Sequence, residues 1–263
     1  MTNPRLIFSE IDDTLVSPDY SLNNETILAI RKQIIHGNLF IPVSNRMPKA
    51  MLNVIEKITT ASPLIAYNGA LVLDEMGQVL NSQFMQVDTA IKICNIVEKY
   101  PNLIWNIYSG YNWLTQDNDN PIIKKLSAYL QVKPFPTTIE HLKELKGVHK
   151  ISIIGNHADL LKVQKEAFQL DNLTTVFFNN ETLDILAPDV SRLKAVKIMA
   201  DYFAIDLKDC IAFGGLIEDI DMLNEIGHPY LTTKLFHITK DKFHVVPQEG
   251  NYPNFAQILA DFA

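Results

Sequence analysis

Apolar positions along this chain fall into two periods, and the alternation between them predicts most of its elements. Leu6-Ile7-Phe8, Leu39-Phe40-Ile41-Pro42-Val43, Leu64-Ile65-Ala66-Tyr67 and Cys210-Ile211-Ala212-Phe213 are continuous apolar runs. Runs of that kind are what strands buried on both faces of a parallel sheet look like. Between the first two, residues 24–36 have helical spacing, with Ile27, Ile30, Ile34 and Ile35 on one face and Gly37 as the stop. Ser17-Pro18-Asp19 predicts a turn ahead of that helix, Pro42 is an irregularity in the second strand, and Pro48 opens the next helix. Asn68-Gly69 then turns the third strand into 70–73, and Gly77 precedes a further strand at 79–80. This is a hairpin pattern that interrupts the strand–helix alternation.

From about residue 84 the pattern changes. A helix after Asp88 carries Ile91, Ile93, Cys94, Ile96 and Val97, followed by aromatic-rich strands at 103–108 and 112–115. Helices are predicted at 121–130, near 139–145 and at 158–168, with strands at 150–154, 174–178 and 182–186. Adjacent strand pairs with helices suit a small α+β module on one antiparallel sheet. Trp105, Tyr108, Tyr111 and Trp113 read as sheet packing in preference to a pocket lining, since strands favour aromatics. Alternation resumes at residue 188, with helices at 190–202, 218–226 and 255–262 and a strand at 230–231. The simplest organisation is an α/β domain built from 1–83 and 188–263, with 84–187 inserted into it.

Composition narrows the function classes. A formal charge of −7 over 263 residues gives no general pull toward nucleic acid or an anionic membrane. No apolar run approaches the ~20 residues of a membrane helix. The first strand begins almost at the N-terminus, so no signal peptide is expected and a cytoplasmic location is. Two distant cysteines, Cys94 and Cys210, make neither a disulfide framework nor a zinc site. They are expected to be buried thiols in a reducing compartment. Nothing in the sequence reads as an oligomerisation signal.

The candidate chemistry lies at strand ends. Glu10 and Asp12 follow the first strand, Ser44-Asn45-Arg46 the second, and Glu218 and Asp219 come shortly after Gly214-Gly215. Arg192 lies near the start of the helix before them. A hydroxyl and free backbone N–H groups at a helix N-terminus suit an anion, although serine is also a common cap. Acids, a hydroxyl and a cation at one sheet edge are what metal-assisted phosphoryl chemistry requires. Mg²⁺ prefers such oxygen ligands.

These segments, in this order, resemble the haloacid dehalogenase-like superfamily, and within it the Cof-type sugar-phosphate phosphatases. Phe8 to Leu15 is similar to the family's Asp-x-Asp-Gly-Thr-Leu motif, and Val43-Ser44-Asn45-Arg46 to its Thr-Gly-Arg. Tyr67-Asn68-Gly69-Ala70 matches its Asn-Gly-Ala turn, Val190-Ser191-Arg192 its Val-Ser-Lys, and Gly214 to Asp219 its Gly-Asp-x-x-Asn-Asp. The resemblance covers essentially the whole chain. It implies a Rossmannoid α/β core with a parallel sheet, and a cap domain formed by the inserted α+β segment. It also implies hydrolysis of a small phosphorylated metabolite through an aspartyl-phosphate, with Mg²⁺ as cofactor. Carried over residue by residue, Glu10 is the nucleophile and Asp12 the acid/base. Ser44, Asn45 and Arg192 hold phosphate. Glu10, Asp12 and Asp219, with Glu218 as a further candidate, hold the metal, and Asn68 and Gly69 lie at the substrate pocket.

The chain departs from the pattern at several of these positions. Glu10 is one methylene longer than the attacking aspartate, and misplacement of about an ångström can cost ~10²-fold in rate. Asp13 adds a negative charge where the family has glycine, and Glu218 stands where it has asparagine. Arg192 replaces a lysine with a planar, bulkier head, and Gly215 removes a metal-binding carboxylate altogether. Glu218 or Asp13 could replace that ligand. The expectation is therefore a phosphatase homologue with weak or lost activity, using Mg²⁺ if its site still binds metal. The alternative is a non-catalytic module that binds a metabolite or a protein through the same fold.

Overall fold

The computed structural model describes residues 4–16, 21–232, 243–246, 248–249 and 252–262. The turn expected at Ser17-Pro18-Asp19 lies outside the described residues. The chain divides into two compact units. Met1–Arg46, Met51–Asn81 and Ser191–Ala263 form the first, and Met47–Ala50 with Ser82–Val190 the second.

Strand β1 (Leu6–Glu10) is buried at every position, as its unbroken apolar run requires. Helix α1 (Asn24–Ile35) starts at Asn23, whose side chain accepts from the Glu25 N–H at 2.8 Å, and ends before Gly37 at φ +91°. Its buried stripe is Thr26, Ile30 and Gln33. The expected inward Ile35 is instead 82% exposed, because five residues beyond Ile30 it lies about 140° further round the helix. Strand β2 (Leu39–Val43) contains Pro42, helix α2 spans Pro48–Ile55, and β3 (Leu64–Ala66) turns into the antiparallel β4 (Leu71–Leu73). Asn68 at φ +56° and Gly69 at φ +105° make that turn. Strand β5 (Val79–Ser82) closes the first stretch.

The second unit contains α3 (Val87–Val97), β6 (Ile104–Ser109), β7 (Asn112–Thr115), α4 (Pro121–Leu130) and β8 (Phe135–Pro136). It continues with β9 (Lys150–Ile154), α5 (His157–Ala167), β10 (Thr174–Asn179) and β11 (Thr182–Leu186). Its six-stranded sheet runs β10-β11-β9-β6-β7-β8, antiparallel except for β7 beside β8. Register puts Trp105, Ile107, Ile151, Ile153, Leu183 and Ile185 on one face. The expected helix near 139–145 is a 3₁₀ stretch, Ile139–Glu144. It buries one anchor, Leu142, and lacks a side-chain cap, too little to hold an α-helix of that length. Trp105, Tyr108 and Trp113 are buried as expected, whereas Tyr111 is exposed.

His149 carries a pH dependence within this unit. Its Nδ1 accepts from the Gly110 N–H at 3.1 Å, and its Nε2 lies 3.0 Å from Ser82 Oγ. Burial pushes the imidazole down to about 4 from an ordinary 6.5. The unfolded chain therefore takes up the proton first, and stability falls as pH drops from about 6.5 toward about 4. The full loss is about 3 kcal/mol. Urea unfolding at pH 7 and pH 4.5 checks this. The wild type should lose more between the two than His149→Gln, and equal losses would refute it.

The chain returns to the first unit with α6 (Arg192–Tyr202), β12 (Ile211–Gly214), α7 (Ile220–Glu225), β13 (His228–Leu231), β14 (His244–Val245) and α8 (Phe255–Ala260). The sheet order is β14-β13-β12-β1-β2-β3-β4-β5, parallel from β14 through β3. Leu6 and Phe8 of β1 belong to a core with Val196 and Met199 of α6. Phe213 meets Phe255 of α8 with ring centroids 4.3 Å apart. Cys94 and Cys210 are both buried thiols, and burial pushes Cys210 up to about 12. Among the described residues no helix is long and apolar enough to cross a membrane.

Candidate functional site

The sheet itself chooses the location. The chain passes from β1 to β2 on one side and later adds β12 on the other, so β1 sits at the point where the strand order reverses. In an open parallel sheet the crevice beyond the C-terminal strand ends at such a point is the usual ligand site. Glu10 is the last residue of β1, Ser44 follows β2, and Gly215 follows β12.

Glu10 is fully buried. The N–H groups of Ile11 and Asp12 donate to its Oε1 at 2.9 and 3.2 Å. This caps a turn, Ile11–Leu15, in which Asp13 takes φ +57°. The other oxygen, Oε2, forms an ion pair with Arg192 Nη1. Burial pushes the Glu10 carboxyl up to about 8, while the Arg192 guanidinium pulls it down.

Arg192 is the first residue of α6, behind the cap Ser191, and is 3% exposed. Its Nε and Nη2 donate to Asn68 Oδ1 at 3.1 and 2.7 Å, and its Nη1 donates to Asp219 Oδ1 at 2.5 Å. Burial disfavours its charge, but Glu10 and Asp219 more than offset that and hold it above the usual arginine range. The second Asp219 oxygen, Oδ2, accepts from the N–H groups of Gly215 and Leu216, each at 2.9 Å. Those bonds shape a 3₁₀ turn, Ile217–Asp219, which is why the helix expected from 218 starts only at Ile220. Glu218 is half-buried beside this cluster and adds to the charge felt by Arg192.

Asp12 belongs to a second, separate pair. Arg46 donates to it from Nε at 2.8 Å and from Nη2 at 2.5 Å, a bidentate clamp with both residues buried. Ser44 is fully buried, and its Oγ accepts from the Arg46 N–H at 3.2 Å. Asn45, between them, is half-buried. The Asn68 turn reaches the same place, with its N–H donating to Ser44 O at 2.9 Å. Gly69 packs so closely that a Cβ there would lie 2.4 Å from Ser191 O. Asn68 and Gly69 thus face the start of α6.

The structure brings together Glu10, Asn68, Arg192 and Asp219 in one cluster, and Asp12, Ser44 and Arg46 in its neighbour. Arg46 was quoted in the sequence's second motif but given no role there. Its signal was the arginine that closes the second motif. Also missed were Thr14 and Thr232, whose hydroxyls crowd Gly215. A Cβ at Gly215 would lie 2.1 Å from Thr232 Oγ1 and 3.0 Å from Thr14 Oγ1. Both hydroxyls, with Asn68 Nδ2, are buried without a hydrogen-bond partner among the described residues. A side chain at 215 would therefore first have to displace the Thr232 hydroxyl. Among the described residues, no three His, Cys, Asp or Glu side chains are grouped to hold a metal ion.

Comparison with known proteins adds four findings. The model of the haloacid dehalogenase-like hydrolase family matches residues 7–232. A Haemophilus influenzae relative, provisionally named a phosphatase, is 24% identical over 262 residues, covering 98% of this chain and 97% of its own length. An Escherichia coli HMP-PP phosphatase is 22% identical over 236 residues, covering 86% and 83%. Among solved structures, a haloacid dehalogenase-like hydrolase from Bacteroides thetaiotaomicron superposes with a TM-score of 0.90 at 14% identity, covering 99% of this chain and 100% of that one.

Proposed function

Because this chain belongs to the haloacid dehalogenase-like hydrolase family, we propose that it is a Cof-type phosphatase homologue whose hydrolysis of a small phosphorylated metabolite is weak or lost. The observation that carries this reading is the state of the Glu10 carboxylate. One oxygen is taken by two backbone N–H groups and the other by Arg192. An attacking carboxylate needs an oxygen free and aimed at phosphorus, and Glu10 has neither the length nor the freedom of the family's aspartate.

The other assigned roles are weakened in the same way. Asp12, the acid/base position, has both oxygens clamped by Arg46. Arg192, the phosphate-holding cation, spends its guanidinium on Asn68, Asp219 and Glu10. Ser44 and Asn45 remain the phosphate-binding candidates at the end of β2. The family's usual Mg²⁺ does not fit this donor set. Glu10, Asp12 and Asp219 each have both oxygens engaged, position 215 offers no side chain, and Glu218 or Asp13 would have to supply what is missing. No reaction step is therefore assigned to a metal here.

The clamp on Asp12 also favours a second reading, in which the site binds without turnover. The relative named for HMP-PP makes a small phosphorylated molecule the ligand class to try first. The test is an assay with Mg²⁺ on a panel of sugar phosphates and an aryl phosphate, run with thermal-shift binding. Turnover should fall at least ~10²-fold below that of an active relative. Rates matching an active relative and abolished in Glu10→Gln would overturn the proposal. Binding without turnover would select the second reading.

A further inference from the structure

We propose that the Arg192 guanidinium takes the place of a divalent cation between Glu10 and Asp219, so that the wild-type protein does not bind Mg²⁺ there. The inference rests on the reading above of this cluster as a former phosphatase centre.

Three observations carry it. First, Glu10 Oε2 and Asp219 Oδ1 both contact the same nitrogen, Arg192 Nη1. Two carboxylate oxygens that converge on one positive atom are arranged as they would be around one ion. Magnesium would need them at roughly 2.0–2.1 Å in a near-octahedral shell completed by waters, and the guanidinium fills that space.

Second, the guanidinium is built in. It leaves the first turn of α6, and two of its nitrogens are fixed by Asn68 Oδ1. Arginine stays charged at any physiological pH and its planar fork suits several acceptors at once. A tethered, always-charged group gives up only side-chain freedom, whereas a free ion must first displace it. Third, the side that would complete a metal shell lacks its carboxylate. Gly215 contributes no carboxylate, and the Thr232 and Thr14 hydroxyls stand where one would go. The positive charge needed to keep two buried carboxylates close is thus provided by the chain itself.

Removing the guanidinium should open the place it occupies. The experiment measures Mn²⁺ binding, as an EPR-visible stand-in for Mg²⁺, by full-length wild type, Arg192→Lys and Arg192→Met, together with the Tm of each with and without Mn²⁺ or Mg²⁺. The wild type should take up no Mn²⁺ at millimolar concentration, and its Tm should not move. Arg192→Lys keeps the charge on the compact head that the family combines with Mg²⁺, and should regain part of the Mn²⁺ uptake. Arg192→Met should bind Mn²⁺ and gain Tm on adding it. Stoichiometric Mn²⁺ uptake by the wild type, lost in Glu10→Gln, would overturn the inference, even if Arg192→Met fails to fold. So would a folded Arg192→Met with no affinity for the ion. Efficient phosphomonoester turnover by the wild type in the presence of EDTA would sink the reading of the site as impaired but would support this inference.

Discussion

Arg192→Met is expected to destabilise the protein by about 3–5 kcal/mol, because it leaves the buried Glu10 and Asp219 carboxyls without their shared partner. The guanidinium is the only positive group the described contacts give to Glu10 Oε2 and Asp219 Oδ1. Methionine fills most of the volume, so the loss reports charge and hydrogen bonds more than a cavity. The deficit should also depend on pH. Glu10 already titrates high, at about 8, because burial disfavours its charge, with Asp219 and Asp12 adding to this and Arg192 opposing it. Without Arg192 it rises further. A folded-state value raised above the unfolded one favours folding below the unfolded value and costs stability as pH climbs through the folded one. Between the unfolded value and about 8 the carboxyl is protonated in both folded proteins, so the variant's deficit should be level there and grow only as pH climbs past about 8. Urea unfolding of both proteins from below to well above that value checks it. A deficit independent of pH would mean that Arg192 matters only for packing.

Gly69→Ala should cost about 2–4 kcal/mol, from two sources that add. One is backbone strain, since φ +105° is unfavourable for a residue with a Cβ. The other is a collision 2.4 Å from Ser191 O, a backbone atom that cannot rotate away. Gly37→Ala separates them. That glycine also has positive φ, but a Cβ there would meet nothing within 4 Å, so it should lose about 1 kcal/mol. Chemical denaturation of the two variants gives both numbers. Equal losses would show that the Ser191 contact yields freely. Because Ser191 caps the helix that carries Arg192, Gly69→Ala should also disturb the Glu10–Arg192–Asp219 cluster.

The apolar runs at 6–8, 39–43 and 211–213 determined the central sheet directly, because a strand buried on both faces admits no polar alternation. Helix ends were equally legible where a cap or a glycine marks them, as at Asn23 and Gly37. The order of the acidic, hydroxyl and basic residues was enough to select a family. At Ile139–Glu144 and at Ile217–Asp219 the sequence was less decisive, since helix-like composition gave way to 3₁₀ turns set by one buried anchor and by the Asp219 carboxylate. What linear order could not convey is which charges meet. Arg192 lies far along the chain from Glu10, and only the packing of α6 against the Tyr67–Gly69 and Ile217–Asp219 turns makes it the partner of both Glu10 and Asp219. Arg46 reached Asp12 in the same way, across the gap between neighbouring strand ends. The sequence showed that Gly215 lacks a carboxylate. Only the tertiary structure revealed that Thr232 and Thr14 occupy the space, because residues so distant in sequence converge through the sheet and not through any local pattern.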